Sequence, residues 1–201
     1  MGTPSARAPA RTRLLDAAEE LFYEHGIAAT GVDAVLRRAH VAPATLYAHF
    51  PGKDHLVAAY LQRRHERWVC TWDAALRRAG EDPLARLLSV FEALEDLQGV
   101  QDAGRGCAFL AAAVEVADPR HPAHPWLVAD TELLTGRLRS LAVDAGAADP
   151  DALAAELLLL YDGALAGRAR RALTSAATTP PPVRDLAAAA VARHLPVRPG
   201  S

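Results

Sequence analysis

The chain is poor in sulfur and in aromatic rings. Of its 201 residues only 5% are Phe, Trp or Tyr, two are cysteine (Cys70 and Cys107) and one is methionine. Two cysteines do not make a disulfide framework. β-Branched residues are sparse, and no Asn-Gly or Asp-Gly hairpin sits between alternating apolar runs, so nothing reads as a sheet. The longest apolar stretches are too short to span a bilayer. The start, MGTPSARAPARTR, lacks the apolar core of a signal peptide, so no membrane partner is expected and the cytoplasm is the expected compartment. Catalytic signatures are missing too: no HExxH, no paired Glu-x-x-His, no Gly-rich phosphate loop and no nucleophile elbow. This excludes the common enzyme classes, and no catalytic residue or cofactor is expected.

What is abundant is alanine, leucine, arginine and glutamate, which favour helix. An all-α chain of about nine helices follows. Lys53 to about Arg78 reads as one long helix stopped by Gly80, and Asp82-Pro83 starts the next. CAFLAAAVEVA is a short helix ended by Asp118-Pro119. A Pro-His loop leads into a helix running to Gly146, Asp149-Pro150 starts another, and VRDLAAAAVARHL is the last. The expected division is a flexible basic arm at 1–10, a helix-turn-helix domain at 11–56, a larger helical domain at 57–195 and a tail at 196–201.

Residues 30–56 carry the functional signal. Val32, Val35, Leu36 and Ala39 recur at i, i+3, i+4 and i+7 and share one helical face. Thr30 and Asp33 have capping-box spacing. His40-Val41-Ala42 is a turn, and Pro43 suits the first position of the next helix. Leu46 and Phe50, four apart, anchor that helix, which turns Thr45, Tyr47 and His49 partly outward with donors suited to phosphate oxygens. Lys53 falls in the first turn of a further helix, where the positive N-terminus adds to its charge.

From RTRLLDAAEELFYEHG through TGVDAVLRRAHV to ATLYAHFPGKDHLVAAY, the chain resembles the DNA-binding domain of TetR-family transcriptional regulators. Thr45-Leu46-Tyr47-x-His49-Phe50 with Lys53-x-x-Leu56 is the most specific part. The resemblance implies that Thr45, Tyr47, His49 and Lys53 contact backbone phosphates of a double-stranded operator and that Thr30 lies near another. It also implies that residues 43 and 44 reach base edges. Here those are Pro43, which donates no hydrogen bond, and Ala44, which can offer only a methyl contact to a base, and Ala42 replaces a usual serine cap. Sequence discrimination is therefore expected from Arg37 and Arg38, and from Arg7, Arg11 and Arg13 on the arm.

Charge agrees with this reading. Residues 1–67 hold nine Arg/Lys and seven Asp/Glu, a net +2, whereas 68–201 hold 13 and 17, a net −4. A basic head on an acidic body orients a protein on DNA without making it a general nucleic-acid binder.

The resemblance further implies a small-molecule effector in the body and a homodimer built by the last two long helices. Candidate pocket residues are Trp68, Trp72, Phe91, Leu94, Cys107, Phe109, Leu110, Val114, Glu115, Trp126 and Tyr161, a mostly apolar set suited to a lipophilic or aromatic effector. Glu115, buried, would favour a cationic ligand; exposed, it is a surface acid. For the dimer there is a physical argument as well. Residues 153–173 are too apolar for a lone surface helix, and Gly163, Ala164, Ala166 and Gly167 allow another helix close approach. His121-x-x-His124 with Asp118 lies in a loop with three prolines and no second ligand pair, so no metal site is expected. The expected function is a ligand-responsive repressor. The alternative is an all-helical binding protein or enzyme whose N-terminal helices only resemble a DNA reader.

Overall fold

A computed structural model describes residues 8–97, 106–173 and 183–195. Residues 1–7, which include Arg7 and the first part of the expected arm, residues 98–105 and 174–182, which the sequence suggests are loops, and the expected tail at 196–201 lie outside the described residues. Within them there are nine helices and no strand: α1 Ala10–His25, α2 Val32–Ala39, α3 Pro43–His49, α4 Lys53–Ala79, α5 Pro83–Asp96, α6 Ala108–Glu115, α7 His124–Asp144, α8 Pro150–Leu173 and α9 Val183–His194. No helix among them is long and apolar enough to cross a membrane.

The punctuation works as its chemistry requires. Asp82 accepts a hydrogen bond from the Leu84 N–H at 3.1 Å, with Pro83 at the first position of α5. Asp149 does the same for Ala152 at 3.0 Å ahead of α8. Gly80 and Gly146 follow α4 and α7 in the left-handed region, φ 61° and 74°, where a side chain would be strained.

The start of α2 departs from expectation. Thr30 and Asp33 do not form a capping box; Gly31 is the cap and makes no side-chain hydrogen bond. The Thr30 hydroxyl turns inward, donating to the carbonyls of Gly26 at 2.7 Å and Leu21 at 3.2 Å. It closes the α1–α2 loop rather than starting a helix.

The chain divides into two compact units, Met1–Arg64 with Ala108–Leu127, and His65–Cys107 with Val128–Ser201. The motif alone suggested a boundary at 56/57. The division instead falls at 64/65, inside α4, because Leu56, Val57, Tyr60 and Leu61 belong to the first core. That core also holds Leu14, Ala18 and Phe22 of α1, Val35 and Leu36 of α2 and Leu46 of α3, together with Ala108 and Ala112 of α6. An ionic tie adds to it. Glu19, only 6% exposed, accepts from Arg63 and from Arg64, and Arg63 also donates to the Leu15 carbonyl at 2.8 Å. The α4 guanidiniums thereby lock onto α1.

The second unit is built on Trp68, Trp72, Leu87, Phe91, Leu94, Leu138, Leu153, Leu157 and Tyr161. Arg184 of α9 pairs with Glu92 of α5 at 2.8 Å, and Arg193 with Glu156 of α8 at 2.7 Å. These hold α9 against its neighbours.

A buried carboxylate that loses its partners, or partners that lose it, leave charge uncompensated. Glu19→Ala should therefore destabilise the first unit by about 3–5 kcal/mol, read as a lower denaturant midpoint, whereas replacing the exposed Asp16 should cost under about 1 kcal/mol.

Candidate nucleic-acid interface

The interface is built on a tight α2–α3 turn. At the end of α2, His40 adopts φ 52° and ψ 51°, left-handed values that few non-glycine residues take. Its N–H donates to the Arg37 carbonyl at 3.3 Å, and the Val41 N–H to Leu36 at 3.1 Å, the paired bonds of a Schellman ending. Two carbonyls at this end, Ala39 and His40, accept from Arg13 at 2.9 and 3.0 Å. These four bonds fix the turn from which α3 leaves.

Helix α3 has seven residues. Pro43 fills its first position, where the missing N–H has no intrahelical role. Leu46 is fully buried and Phe50 is 3% exposed, and the Arg11 guanidinium lies 5.4 Å from the Phe50 ring centre. With those two side chains fixed inward, Pro43, Ala44, Tyr47 and His49 are exposed and Thr45 is half-buried. Tyr47, a large ring, is 58% exposed. No side-chain hydrogen bond of Thr45, Tyr47 or His49 is present among the described residues, so their donors are available to an external partner. A shallow groove of ≈ 560 Å³ runs beside the turn, lined by Asp33, Leu36, Arg37, His40, Val41, Ala42 and Pro43.

The cations expected to read sequence fall into different roles. Arg38 is paired with Glu20 at 2.6 Å. Arg37 is exposed, lines the groove and has no partner among the described residues. Arg11 and Arg13 belong to α1, not to a free arm, and both support the turn and α3. The Arg13 guanidinium is held by two carbonyls, and that of Arg11 lies over the Phe50 ring. Lys53, half-buried at the start of α4, donates to the Ala28 carbonyl at 3.4 Å and keeps two further N–H donors. Thr30 is 3% exposed with its hydroxyl bonded inward, so the expectation of a phosphate contact from it is corrected. Spacing gave no sign of the Arg13 and Thr30 bonds, which are side chain to backbone and follow no period.

The expected pocket residues separate between the two units. Trp68, Trp72, Phe91, Leu94 and Tyr161 are buried in the second core, with Cys107 packed against it. Phe109 and Trp126 pack on the first core. Leu110 and Val114 on α6 are 51% and 83% exposed; α6 turns its alanines, Ala108 and Ala112, inward instead. Glu115 fits neither expected alternative. It is exposed, yet its carboxylate accepts from the backbone N–H groups of Ile27, at 3.1 Å, and Ala28.

The second core holds an unusual set of polar groups. Trp72 Nε1 donates to Ser89 Oγ at 2.9 Å. Trp68, one turn earlier, packs with its ring centre 5.6 Å from those of both Trp72 and Tyr161, at tilted angles, but its buried Nε1 has no hydrogen-bond partner among the described residues. Asp130 is 7% exposed, and one of its oxygens lies 3.8 Å from His65 Nδ1. Burial pushes His65 below the usual imidazole range and the Tyr161 hydroxyl well above the usual phenol range. Among the described residues no group of His, Cys, Asp and Glu is arranged to hold a metal ion.

If Arg37 reads bases and Arg38 braces α1, the two substitutions should differ. Arg37→Ala should flatten sequence preference at one operator position, removing about 1–3 kcal/mol of discrimination, whereas Arg38→Ala should leave the preference profile unchanged. Binding to a duplex library reads both.

Residues 14–60 match the model of the family of bacterial regulatory proteins called tetR. The transcriptional regulator UidR of Escherichia coli K12 is 39% identical over 59 residues, 29% of this chain and 30% of its own length. The transcriptional repressor KstR of Mycolicibacterium smegmatis is 42% identical over 77 residues, 38% of this chain and 37% of its own. The transcriptional activator FasR from the same organism is 40% identical over 86 residues, 43% of this chain and 39% of its own. The chain thus spans between 30% and 39% of the length of these curated relatives. Solved structures extend the likeness. The regulatory protein TetR of Rhodobacter sphaeroides, 22% identical, shares the fold with a TM-score of 0.75 over 94% of this chain and all of its own. A TetR-family transcriptional regulator of Streptomyces coelicolor superposes with a TM-score of 0.77 at 32% identity, over 92% of this chain and 93% of its own. With that identity sustained along nearly the whole of both chains, this protein belongs to the TetR family of transcriptional regulators.

Proposed function

We propose that this chain is a ligand-responsive repressor that binds a palindromic operator as a homodimer and leaves it when a small molecule occupies the second unit. The observation that carries the reading is α3. Leu46 and Phe50 at its end are buried, its phenol and imidazole are exposed, Thr45 is half-buried, and Lys53 follows four residues after His49. That is a phosphate-gripping surface with no internal use for its donors. Phosphate contacts release counterions, so affinity for duplex should fall steeply with salt, and Lys53→Ala should lower the slope of log affinity against log salt by about one unit. A response flat in salt would favour the alternative of a helical binding protein or enzyme that never engages DNA.

Dimerisation is supported by α8. Ala155, Leu159, Gly163 and Ala166 form an exposed line along it, with Leu159 71% exposed and, on α9, Leu186 45% exposed. Small residues flanking an uncovered leucine suit close packing against a second copy, and two-fold symmetry suits a palindrome. Leu159→Glu should shift sedimentation from dimer to monomer and weaken operator binding at least about tenfold, since only one half-site would remain held.

The effector is proposed to be a planar, mostly apolar molecule bearing a hydrogen-bond acceptor. Among the described residues the buried Trp68 Nε1–H lacks a partner, and a donor in that state calls for one. To regulate, the effector must bind better to a form of the dimer that holds DNA less well. Repression, as in KstR, is favoured over activation, as in FasR, and a reporter assay with and without the gene for this chain tells them apart. In a thermal-shift screen, aromatic ketones should stabilise the protein more than the matching hydrocarbons, and Trp68→Phe should erase the difference. Equal stabilisation by both would contradict the donor role.

A further inference from the structure

Residues 26–31 join α1 to α2, and their backbone polar groups must find partners. Several do so locally: Gly26 N–H donates to the Phe22 carbonyl, Thr30 N–H to that of Ile27, and the Thr30 hydroxyl to that of Gly26. The consecutive N–H groups of Ile27 and Ala28 point instead at Glu115. Its Oε1 lies 3.1 Å from Ile27 N, and its Oε2 accepts from Ala28 N. One carboxylate bridging two adjacent amides is a charge-assisted arrangement, stronger than its neutral counterpart. Gly26 accommodates it: φ is 88°, and a Cβ there would sit 3.2 Å from Glu115 Oε1.

The same residue has a second tie. The Ala28 carbonyl accepts from Lys53 Nζ at 3.4 Å. Ala28 therefore sits between an anion from the last residue of α6 and a cation from the first residue of α4. All four residues lie in the first unit.

We infer that Glu115 is a positioning residue for DNA binding, holding the α1–α2 loop so that the Ala28 carbonyl keeps the Lys53 ammonium beside the phosphate-facing surface of α3. This rests on the reading of that surface as a DNA interface and goes beyond it by giving α6 a defined contact with the grip. Without Glu115, two amides lose their acceptor, the loop is free to rearrange, and Lys53 loses its fixed point. A displacement of α6 would act through the same tie.

A double-mutant cycle in full-length protein tests this, with duplex affinity measured across a salt series. Glu115→Ala should weaken binding about tenfold and lower the salt slope by about one unit, as Lys53→Ala does. In the Lys53→Ala background the same change should cost less than about twofold, because residues acting through one contact are not additive. Amide exchange at Ile27 and Ala28 should accelerate. Glu115→Gln keeps one neutral acceptor and should be intermediate; it serves also if the alanine variant folds poorly. Additive losses, or an unchanged slope in both Glu115 variants, would overturn the inference. A wild-type protein with no salt-dependent duplex binding would instead overturn the DNA-binding reading, before any variant is compared.

Discussion

Everything that faces outward near the turn depends on two side chains that face inward. A seven-residue helix is far below the length at which an isolated helix persists in water, so α3 exists because Leu46 and Phe50 are buried in the core made by α1, α2 and α4. Their burial sets the rotation of the helix about its axis, which decides that Tyr47 and His49 point away from the protein. Arg13 on the carbonyls of Ala39 and His40 and Arg11 over Phe50 then hold the ends. These arginines work for α3 without touching its outer face.

Much of this was legible in the sequence, because helices announce themselves by period and by their end residues. Pro43, Asp82-Pro83, Asp149-Pro150, Gly80 and Gly146 mark boundaries where the structure has them. The inward set of α3 follows from a spacing of four. What was hidden is the class of bond that links a side chain to a distant backbone group. Arg13 meets α2 26 residues away, and Glu115 meets Ala28 87 residues away. Neither has a periodic signature. Thr30 misled for a related reason. Its hydroxyl can cap a helix or close a loop, and here the nearby Gly26 carbonyl takes it.

The candidate effector site was legible by residue type and not by place. Large apolar side chains spaced along helices are found both in cores and around ligands, and alanine-rich α6 gave no clue as to which face is covered. The structure assigns Trp68, Trp72 and Tyr161 to one compact unit, and α6 and Trp126 to the other. Within the former, Trp72 is bonded to Ser89, whereas the Trp68 N–H has no partner among the described residues. Composition could not have made that distinction.

The account stands on the claim that anchoring α3 creates the DNA-reading surface. Site-resolved amide exchange combined with duplex affinity for Leu46→Ala tests it most directly. Removing a fully buried leucine costs about 2–5 kcal/mol, and the account predicts loss of protection along residues 43–50, retained protection in α7 and α8, and duplex affinity reduced more than about a hundredfold. Affinity within about threefold of wild type with α3 unprotected would contradict it.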